Sequence, residues 1–277
     1  MKVKDKVLVV TGGGSGIGQE LVLQLLAKGT RVAAVDINEA SLQETAELAG
    51  SKKEKLSTHV VNIADKAVVE ALPEQVVAAH GVVDGIINNA GIIQPFVRIS
   101  ELDYATIERV MNVNFYGMLY MTKAFLPYLR TRPEAHIANV SSMGGFLPVP
   151  GQTVYGAAKA AVKLFTEGLR SELLDTNIKV TVVFPGAIGT NIAKNSGLGN
   201  MMPAENGNGN GNGNGNSNRR SIQPLAASKA GAIIIDGIEG DRYRVLVGSD
   251  ARLMDLLYRV HQKFAADFIF KQMKSLL

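Results

Sequence analysis

The sequence contains no cysteine. Disulfides, thiolate catalysis and cysteine-based metal sites are thereby excluded. Histidine is scarce as well: His59, His80, His136 and His261 are scattered, without the spacing of metal ligands. Charge of one sign is barely in excess, since 29 basic side chains face 25 acidic ones for a formal charge of +4. The sequence pI near 9.2 therefore reflects a small surplus rather than a basic surface. No Lys/Arg run of the kind that follows a phosphate backbone is present, which argues against a nucleic-acid partner. Long apolar runs are missing too; none approaches the roughly 20 residues of a membrane span. The opening MKVKDKVLVV runs straight into a strand, too short an apolar run for a secretory signal and without a small-residue cleavage site. The expectation is a soluble cytoplasmic protein. Apolar residues, by contrast, make up 46% of the 277, ample for a sizeable core, and α/β folds of this length commonly stay one domain.

Short β-branched runs alternate with helical patterns. Lys6–Thr11 is apolar and too short for a helix, so it reads as a buried strand. Ile17–Lys28 has helical periodicity and Gly29 fits its stop. Strands are expected at Arg31–Asp36, Thr58–Asn62, Val82–Asn88, His136–Ser141, Lys179–Phe184 and Tyr243–Val247. Helices are expected at Glu39–Ala49, ended by Gly50, near Asp103–Arg130 and Thr153–Asp175, and at Pro224–Gly237. Asp65 reads as a helix N-cap, without a capping-box acceptor at Val68. Such alternation implies an α/β fold: a Rossmann-like, doubly wound parallel sheet of about seven strands with helices on both faces. A sheet of this kind binds ligands at the carboxyl ends of its strands, where strand order reverses. One segment breaks the pattern. Asn206–Asn216 alternates Asn and Gly, and nothing in it can bury apolar surface; it reads as a mobile loop, with an ordered turn array as the alternative.

Between the first strand and the first helix lies TGGGSGIG, Thr11–Gly18. Glycines let a backbone turn tightly and approach a pyrophosphate without a Cβ in the way. The helix-start N–H groups and dipole then hold the anion. The spacing departs from G-x-G-x-x-G, so the strand–glycine–helix context carries the reading. Asp36 ends the second strand, about 20 residues on, where a carboxylate can accept hydrogen bonds from a ribose diol and repel a 2′-phosphate. Ile37 follows it and Ser15 occupies the glycine loop, so neither position supplies a cation. NAD is favoured over NADP.

Tyr155-Gly-Ala-Ala-Lys159 starts a helix, and the spacing of four puts both side chains on one face. A tyrosine titrates near about 10, too high for an effective base; a nearby ammonium favours the phenolate and brings Tyr155 closer to acid/base work. Ser142 follows the fifth strand, where its hydroxyl could meet a reacting oxygen. With these residues in place the chain resembles the short-chain dehydrogenase/reductase family, in its single-domain branch, over nearly its whole length. TGGGSGIG matches T-G-x-x-x-G-x-G, Asn88-Asn89-Ala90-Gly91 matches N-N-A-G, and Asn112-Val113-Asn114 contains the helix asparagine, placed at Asn114. Ser142 stands thirteen residues before Tyr155, Tyr155 and Lys159 match Y-x-x-x-K, and Pro185-Gly186 with Thr190 matches P-G-x-x-x-T.

The resemblance implies an NAD-dependent oxidoreductase that interconverts a secondary alcohol and a ketone. Tyr155 would exchange the proton, Ser142 would position the substrate oxygen, and Lys159 would bind ribose hydroxyls and lower the Tyr155 pKa. Asn114 would hold a water linking Lys159 to solvent. The cofactor set would comprise Gly12, Ser15, Gly16, Ile17, Gly18, Asp36, Ile37, Asn62, Ile63, Asn89, Ala90, Gly91, Tyr155, Lys159, Pro185, Gly186, Ile188 and Thr190. The family often has Asp where Asn62 stands; an amide still offers a donor and an acceptor. A homo-tetramer or homo-dimer would form through the Asp103–Arg130 and Tyr155–Asp175 helices.

Residues expected against substrate are Gln94, Met143, Gln152 and Ile192. With Ile93, Phe96, Gly144, Phe146, Val149 and Ala187 they form a mostly apolar set without a cationic clamp, which favours a small neutral, apolar alcohol or ketone. Organisation is expected as a single domain over 1–277, a flexible lid over 191–225 and a helical tail over 250–277. The tail carries an apolar stripe of Leu253, Leu256, Leu257, Val260, Phe264 and Phe268 beside Arg259, Lys263, Lys271 and Lys274. Packing on the domain or a second subunit is favoured for it over peripheral membrane contact. An NADPH-dependent carbonyl reductase and a non-catalytic dinucleotide-binding regulator stand as alternatives. Asp36 argues against the first, and the complete Asn114, Ser142, Tyr155 and Lys159 set against the second.

Overall fold

The structure is a computed structural model that describes residues 1–198, 224–274 and 277. The Asn/Gly segment 206–216, and with it most of the expected lid, lies outside the described residues. In chain order, β1 (Val7–Thr11), α1 (Gly16–Ala27), β2 (Arg31–Asp36), α2 (Glu39–Leu48), β3 (Leu56–Val60) and α3 (Lys66–His80) come first. Then follow β4 (Gly85–Asn88), α4 (Tyr104–Met111), a π-helical stretch Asn112–Gly117, α5 (Met118–Arg130), β5 (Ala135–Val140), α6 (Thr153–Glu172) and β6 (Ile178–Pro185). The remaining elements are β7 (Ile188–Gly189), α7 (Ile192–Asn195), β8 (Leu225–Ala226), α8 (Ala227–Glu239), β9 (Arg244–Val247), α9 (Ser249–Val260) and α10 (Gln262–Met273).

Seven strands form one parallel sheet in the order β3-β2-β1-β4-β5-β6-β9, and β7 pairs with β8 apart from it. The period-two alternation of side chains divides the core. Leu8 and Val10 of β1 and Val32 and Ala34 of β2 face one way, against Leu21 and Leu25 of α1 and Ile234 and Ile238 of α8. Val7, Val9, Ala33 and Val35 face the other way, against Val69 and Leu72 of α3, Phe125 of α5 and Leu169 of α6. Every residue of β1 is buried, as a strand covered on both faces requires. Strand order reverses between β1 and β4, so the chain leaving β1 and the chain leaving β4 diverge and open a crevice at their carboxyl ends.

Local signals explain most boundaries. Asp65 caps α3, its Oδ1 accepting from Ala67 N and Val68 N at 3.0 and 3.3 Å. Asn38 and Asp103 do the same for α2 and α4. Four segments differ from the expectation. The third strand ends at Val60 rather than Asn62, because its partner β2 ends at Asp36, opposite Val60, and Asn62 Oδ1 then accepts from Ala64 N to turn the chain. The long helix expected at Asp103–Arg130 is interrupted by the π-helical stretch. Leu225–Ala226 is extended where a helix was expected, since it pairs with β7. The tail bends at His261 (φ −151°), so its two helices bury Met254, Ala265 and Ile269 and leave Leu253, Leu256, Val260 and Phe264 of the expected stripe exposed.

Under the sheet, Asp84 is buried and accepts from Val7 N at 2.8 Å and from Arg132 Nε at 2.8 Å. Removing the cation leaves an enclosed carboxylate with a single backbone donor. Arg132→Leu is expected to lower unfolding stability by ~2–3 kcal/mol, the lower side of the cost of breaking a buried pair because Arg132 is partly exposed. Urea denaturation of the variant checks this; an unchanged midpoint would contradict it.

Candidate active site

The crevice is framed by backbone-to-side-chain bonds that join β1 to β4. Thr11 Oγ1 accepts from Asn89 N and Ala90 N, both at 3.0 Å, and Asn89 Nδ2 donates to Thr11 O at 3.0 Å. The glycine loop lies directly above. Gly12 and Gly16 have positive φ (69° and 53°), and a Cβ at Gly18 would run into the Gly12 carbonyl, so the loop admits no larger residue at these points. Ser15 caps α1 in position only; its hydroxyl accepts from Asn195 Nδ2 at 2.7 Å instead of bonding the helix. No acidic residue occupies the first turn of α1, which leaves the positive helix end uncompensated. Asp36 reaches into the loop, accepting from Gly14 N at 3.0 Å and from Asn38 N at 3.1 Å.

Across the crevice, α6 is tied to the end of β5 at one residue. Lys159 Nζ donates to Val140 O at 3.0 Å, and Ser141 Oγ donates to Lys159 O at 2.7 Å. Burial pushes the Lys159 ammonium down from its ordinary 10.5 to about 8. Its Nζ stands 5.9 Å from the centre of the Tyr155 ring. Ser142 Oγ accepts from Gly144 N at 3.0 Å, and a Cβ placed on Gly144 would lie 3.5 Å from both Ser142 Oγ and the Tyr155 ring. Ser142 and Tyr155 therefore flank one glycine. Burial pushes the Tyr155 phenol above its ordinary value, and the Ser142 hydroxyl pulls the other way. The expected downward pull of Lys159 does not set the phenol here, because the ammonium is turned to the Val140 carbonyl.

Asn114 sits in the π-helical stretch, buried, with its amide used in both directions: Ile92 N donates to Oδ1 at 3.0 Å and Nδ2 donates to Ile92 O at 2.8 Å. A widened turn is a frequent feature of functional sites, and here it presents this amide to the loop after β4. A Cβ on Gly91 would lie 2.7 Å from Asn114 Oδ1 and 3.1 Å from Lys159 Nζ, so these two groups converge behind Gly91. Asn114, Ser142, Tyr155 and Lys159 are thus gathered at the carboxyl ends of β4 and β5.

Other expected residues are placed unevenly. Pro185 ends β6 and Gly186 follows it, and Thr190 packs where a Cβ on Gly16 would meet it at 3.2 Å. Ile188 pairs in β7. Ile37 is exposed, and Asn62 is exposed beside a buried Ile63 that packs at Gly117. Met143 borders the apolar cluster of Leu147, Met254 and Ile269, and Ile192 begins α7 half-buried. Gln94 and Gln152, expected against substrate, are both enclosed by protein. Gln94 gives its side chain to Val154 N, Tyr155 N and Gly151 O, and Gln152 Nε2 donates to Gln94 O at 2.7 Å.

Four further residues hold the site without belonging to any of its motifs: Asp250, Asn195, Ser196 and Arg109. Asp250, in the first turn of α9, accepts from Ala187 N at 2.6 Å and fixes the Pro-Gly turn. Its signal was a lone acid shortly after a strand. Asn195 reaches Ser15, and Ser196 Oγ accepts from Ile93 N at 2.9 Å while Arg109 donates to Ser196 O at 3.1 Å. Residues 191–198, the described start of the expected lid, are thereby docked on the crevice. Among the described residues no cluster of acidic, histidine or cysteine side chains could hold a metal, and no helix is long and apolar enough to cross a membrane.

Comparison with known proteins agrees with this architecture. Residues 6–200 match the short chain dehydrogenase family model. The chain belongs to the short-chain dehydrogenase/reductase family and is an oxidoreductase of that family. A Mycobacterium tuberculosis protein named "Putative oxidoreductase SadH" is 36% identical over 259 residues, covering 93% of this chain and 91% of its own length. The mouse dehydrogenase/reductase SDR family member 7B is 35% identical over 198 residues, 70% of this chain and 61% of its own. A crystal structure of a short-chain dehydrogenase/reductase from Burkholderia phymatum in complex with NAD has a TM-score of 0.79 at 23% identity, covering 94% of this chain and 96% of that one. One from Burkholderia cenocepacia in complex with NADP has a TM-score of 0.78 at 23% identity, covering 97% and 99%. At such identities the structural likeness shows the fold.

Proposed function

We propose that this protein interconverts a secondary alcohol and a ketone with NAD, and that Tyr155 is the group that exchanges the proton. The observation that carries the reading is the meeting of Ser142 Oγ and the Tyr155 ring on either side of Gly144, with Lys159 on the same helix face one turn further on. A substrate oxygen placed there would accept from the Ser142 hydroxyl and take or return the phenolic proton. Lys159, once turned from Val140 O toward ribose hydroxyls, would hold them and favour the phenolate. Asn114, anchored to Ile92, keeps the wall behind Lys159 in place, beside the solvent-linked water assigned to it by resemblance.

The residues fit a nicotinamide dinucleotide. The glycine turn has no room for side chains at its tightest points, the start of α1 carries no compensating acid, and Asp36 stands half-buried at the loop with oxygens able to accept from a diol. Gly12, Gly16, Ile17 and Gly18 would hold the pyrophosphate, Asp36 the adenosine ribose, and Ile188 and Thr190 the carboxamide. When bound, the nicotinamide supplies the site from which hydride leaves or to which it comes. A mostly apolar mouth with Met143 and Ile192, with no cationic clamp among the described residues, supports a neutral apolar substrate.

Cofactor choice tests the ribose contact. Asp36→Ala removes two accepting oxygens and a charge that would repel a 2′-phosphate. NAD affinity is expected to fall ~10-fold or more, in line with about 1.5–3 kcal/mol for a hydrogen bond to a charged group. NADP affinity should rise or hold, narrowing the preference. Fluorescence titration with both dinucleotides checks this, and an unchanged NAD/NADP ratio would refute the contact.

A further inference from the structure

A helix starts with N–H groups that have no intrahelical partner, and a local side chain at the N-cap ordinarily satisfies one or two of them. Helix α6 has no such cap: Gln152 occupies the N-cap position and makes no capping bond. The partner comes from the loop after β4. Gln94 Oε1 accepts from both Val154 N and Tyr155 N at 2.9 Å, and Gln94 Nε2 donates to Gly151 O at 3.0 Å. The Gln94 carbonyl in turn accepts from Gln152 Nε2 at 2.7 Å. Gln94 is 0% exposed, so no water competes for these bonds.

We propose that Gln94 is a positioning residue that fixes the first turn of α6 and thereby sets where the Tyr155 phenol stands. The proposal rests on the reading of Tyr155 as the proton-exchanging group. Its strength is that the loop carrying Gln94 is itself pinned residue by residue. Gly91 lies against Asn114 Oδ1 and Lys159 Nζ, Ile92 is held in both directions by Asn114, and Ile93 N donates to Ser196 Oγ. Gln94 passes that registration directly to the backbone nitrogen of Tyr155. Asn114 and Tyr155 are therefore joined by a continuous path of hydrogen bonds and three residues of chain, 92–94. Gln94 does not reach the reacting atoms; it acts through the helix. Misplacing a reacting group by about 1 Å costs on the order of a hundredfold in rate, so the lock has a large lever.

Three variants of the full chain test this. Gln94→Met keeps length and removes both functions, Gln94→Glu keeps the acceptor toward both amides at a helix N-terminus that favours negative charge but gives up the donor to Gly151 O, and Gln94→Asn is too short to reach both amides. Amide hydrogen exchange of residues 153–156 in the free protein is measured first. Exchange is expected to quicken ~10-fold or more in Gln94→Met, where the first turn loses the acceptor of Val154 N and Tyr155 N, and to stay near wild type in Gln94→Glu. Rates with NAD and a panel of secondary alcohols, cyclohexanol and isopropanol among them, are measured alongside Tyr155→Phe. The expected result is a kcat ~10- to 100-fold lower in Gln94→Met with KM little changed, a shifted pH profile, and recovery of most of the rate in Gln94→Glu. Unchanged exchange, or quickened exchange with wild-type kcat, overturns the proposal. Should Gln94→Met fail to fold, Gln94→Asn must show the same two losses in smaller degree, and wild-type values there overturn it equally. A Tyr155→Phe enzyme at full rate would instead sink the reading of Tyr155, leaving the exchange result to decide whether Gln94 holds the turn.

Discussion

Tyr155→Phe is expected to lower kcat by about 10²–10⁴-fold, the range in which a positioned acid/base contributes. The dissociation constant of NAD should change less than threefold. The loss follows from one oxygen: the ring still packs beside Ser142 and Gly144, but nothing at its tip can take or return a proton. Burial raises the phenol in the free protein. The proton is therefore held tightly until the Lys159 ammonium and the positive ring of the oxidised cofactor favour the phenolate. The alcohol-oxidising rate should accordingly rise with pH across the alkaline limb and lose that limb in the variant. Stopped-flow rates over pH, paired with NAD titration, check both halves. A variant that turns over at the wild-type rate would show that the proton travels elsewhere.

Lys159→Met should combine a large loss of activity with a gain in stability. Burial lowers the lysine from 10.5 to about 8, so between those values the unfolded chain binds the proton and the folded chain does not. The buried charge thus weighs against folding in full below about pH 8, and the burden fades as pH rises toward 10.5. A shift of that size corresponds to about 3 kcal/mol. Leaving the Val140 carbonyl without its donor costs about 1 kcal/mol in return. Near pH 7 the variant is expected to melt roughly 4–8 °C higher, while kcat falls on the order of 10²-fold or more for want of the cation. The stability gain should shrink above pH 8 and be nearly gone by pH 10.5. Calorimetry across this interval decides the matter; a variant less stable than wild type at neutral pH would contradict it. A protein that keeps an ion in a dry site at a cost in stability has a use for it.

The sheet was legible because buried parallel strands read as short apolar runs, and Val7–Val10, Arg31–Asp36 and Ile178–Phe184 do so without ambiguity. The glycine loop and the Tyr155–Lys159 pair were legible because their chemistry depends on spacing within one segment. Edges were less legible. The end of β3 is set by where β2 stops, which no pattern inside residues 58–62 reveals. The bend at His261 turns two helices differently, so a stripe drawn through Leu253 and Phe264 as one helix mixes two faces. The π-helical stretch adds no residue type that marks it. Least legible were contacts between distant segments. The bonds that Gln94 accepts from Val154 N and Tyr155 N span 60 and 61 residues. Asp250 and Ala187 are 63 residues apart. Such bonds have no period, and only the folded chain brings their ends together.

Nicotinamide absorbance, followed while the purified protein is mixed with NAD and a panel of secondary alcohols, wild type beside Tyr155→Phe, decides whether the phenol carries the proton. NADH is expected to accumulate with at least one neutral, apolar alcohol, NADP to serve less well, and the variant to bind NAD yet produce almost nothing. NAD bound tightly with no reduction by any alcohol in a broad panel, or equal production by the variant, would contradict this expectation.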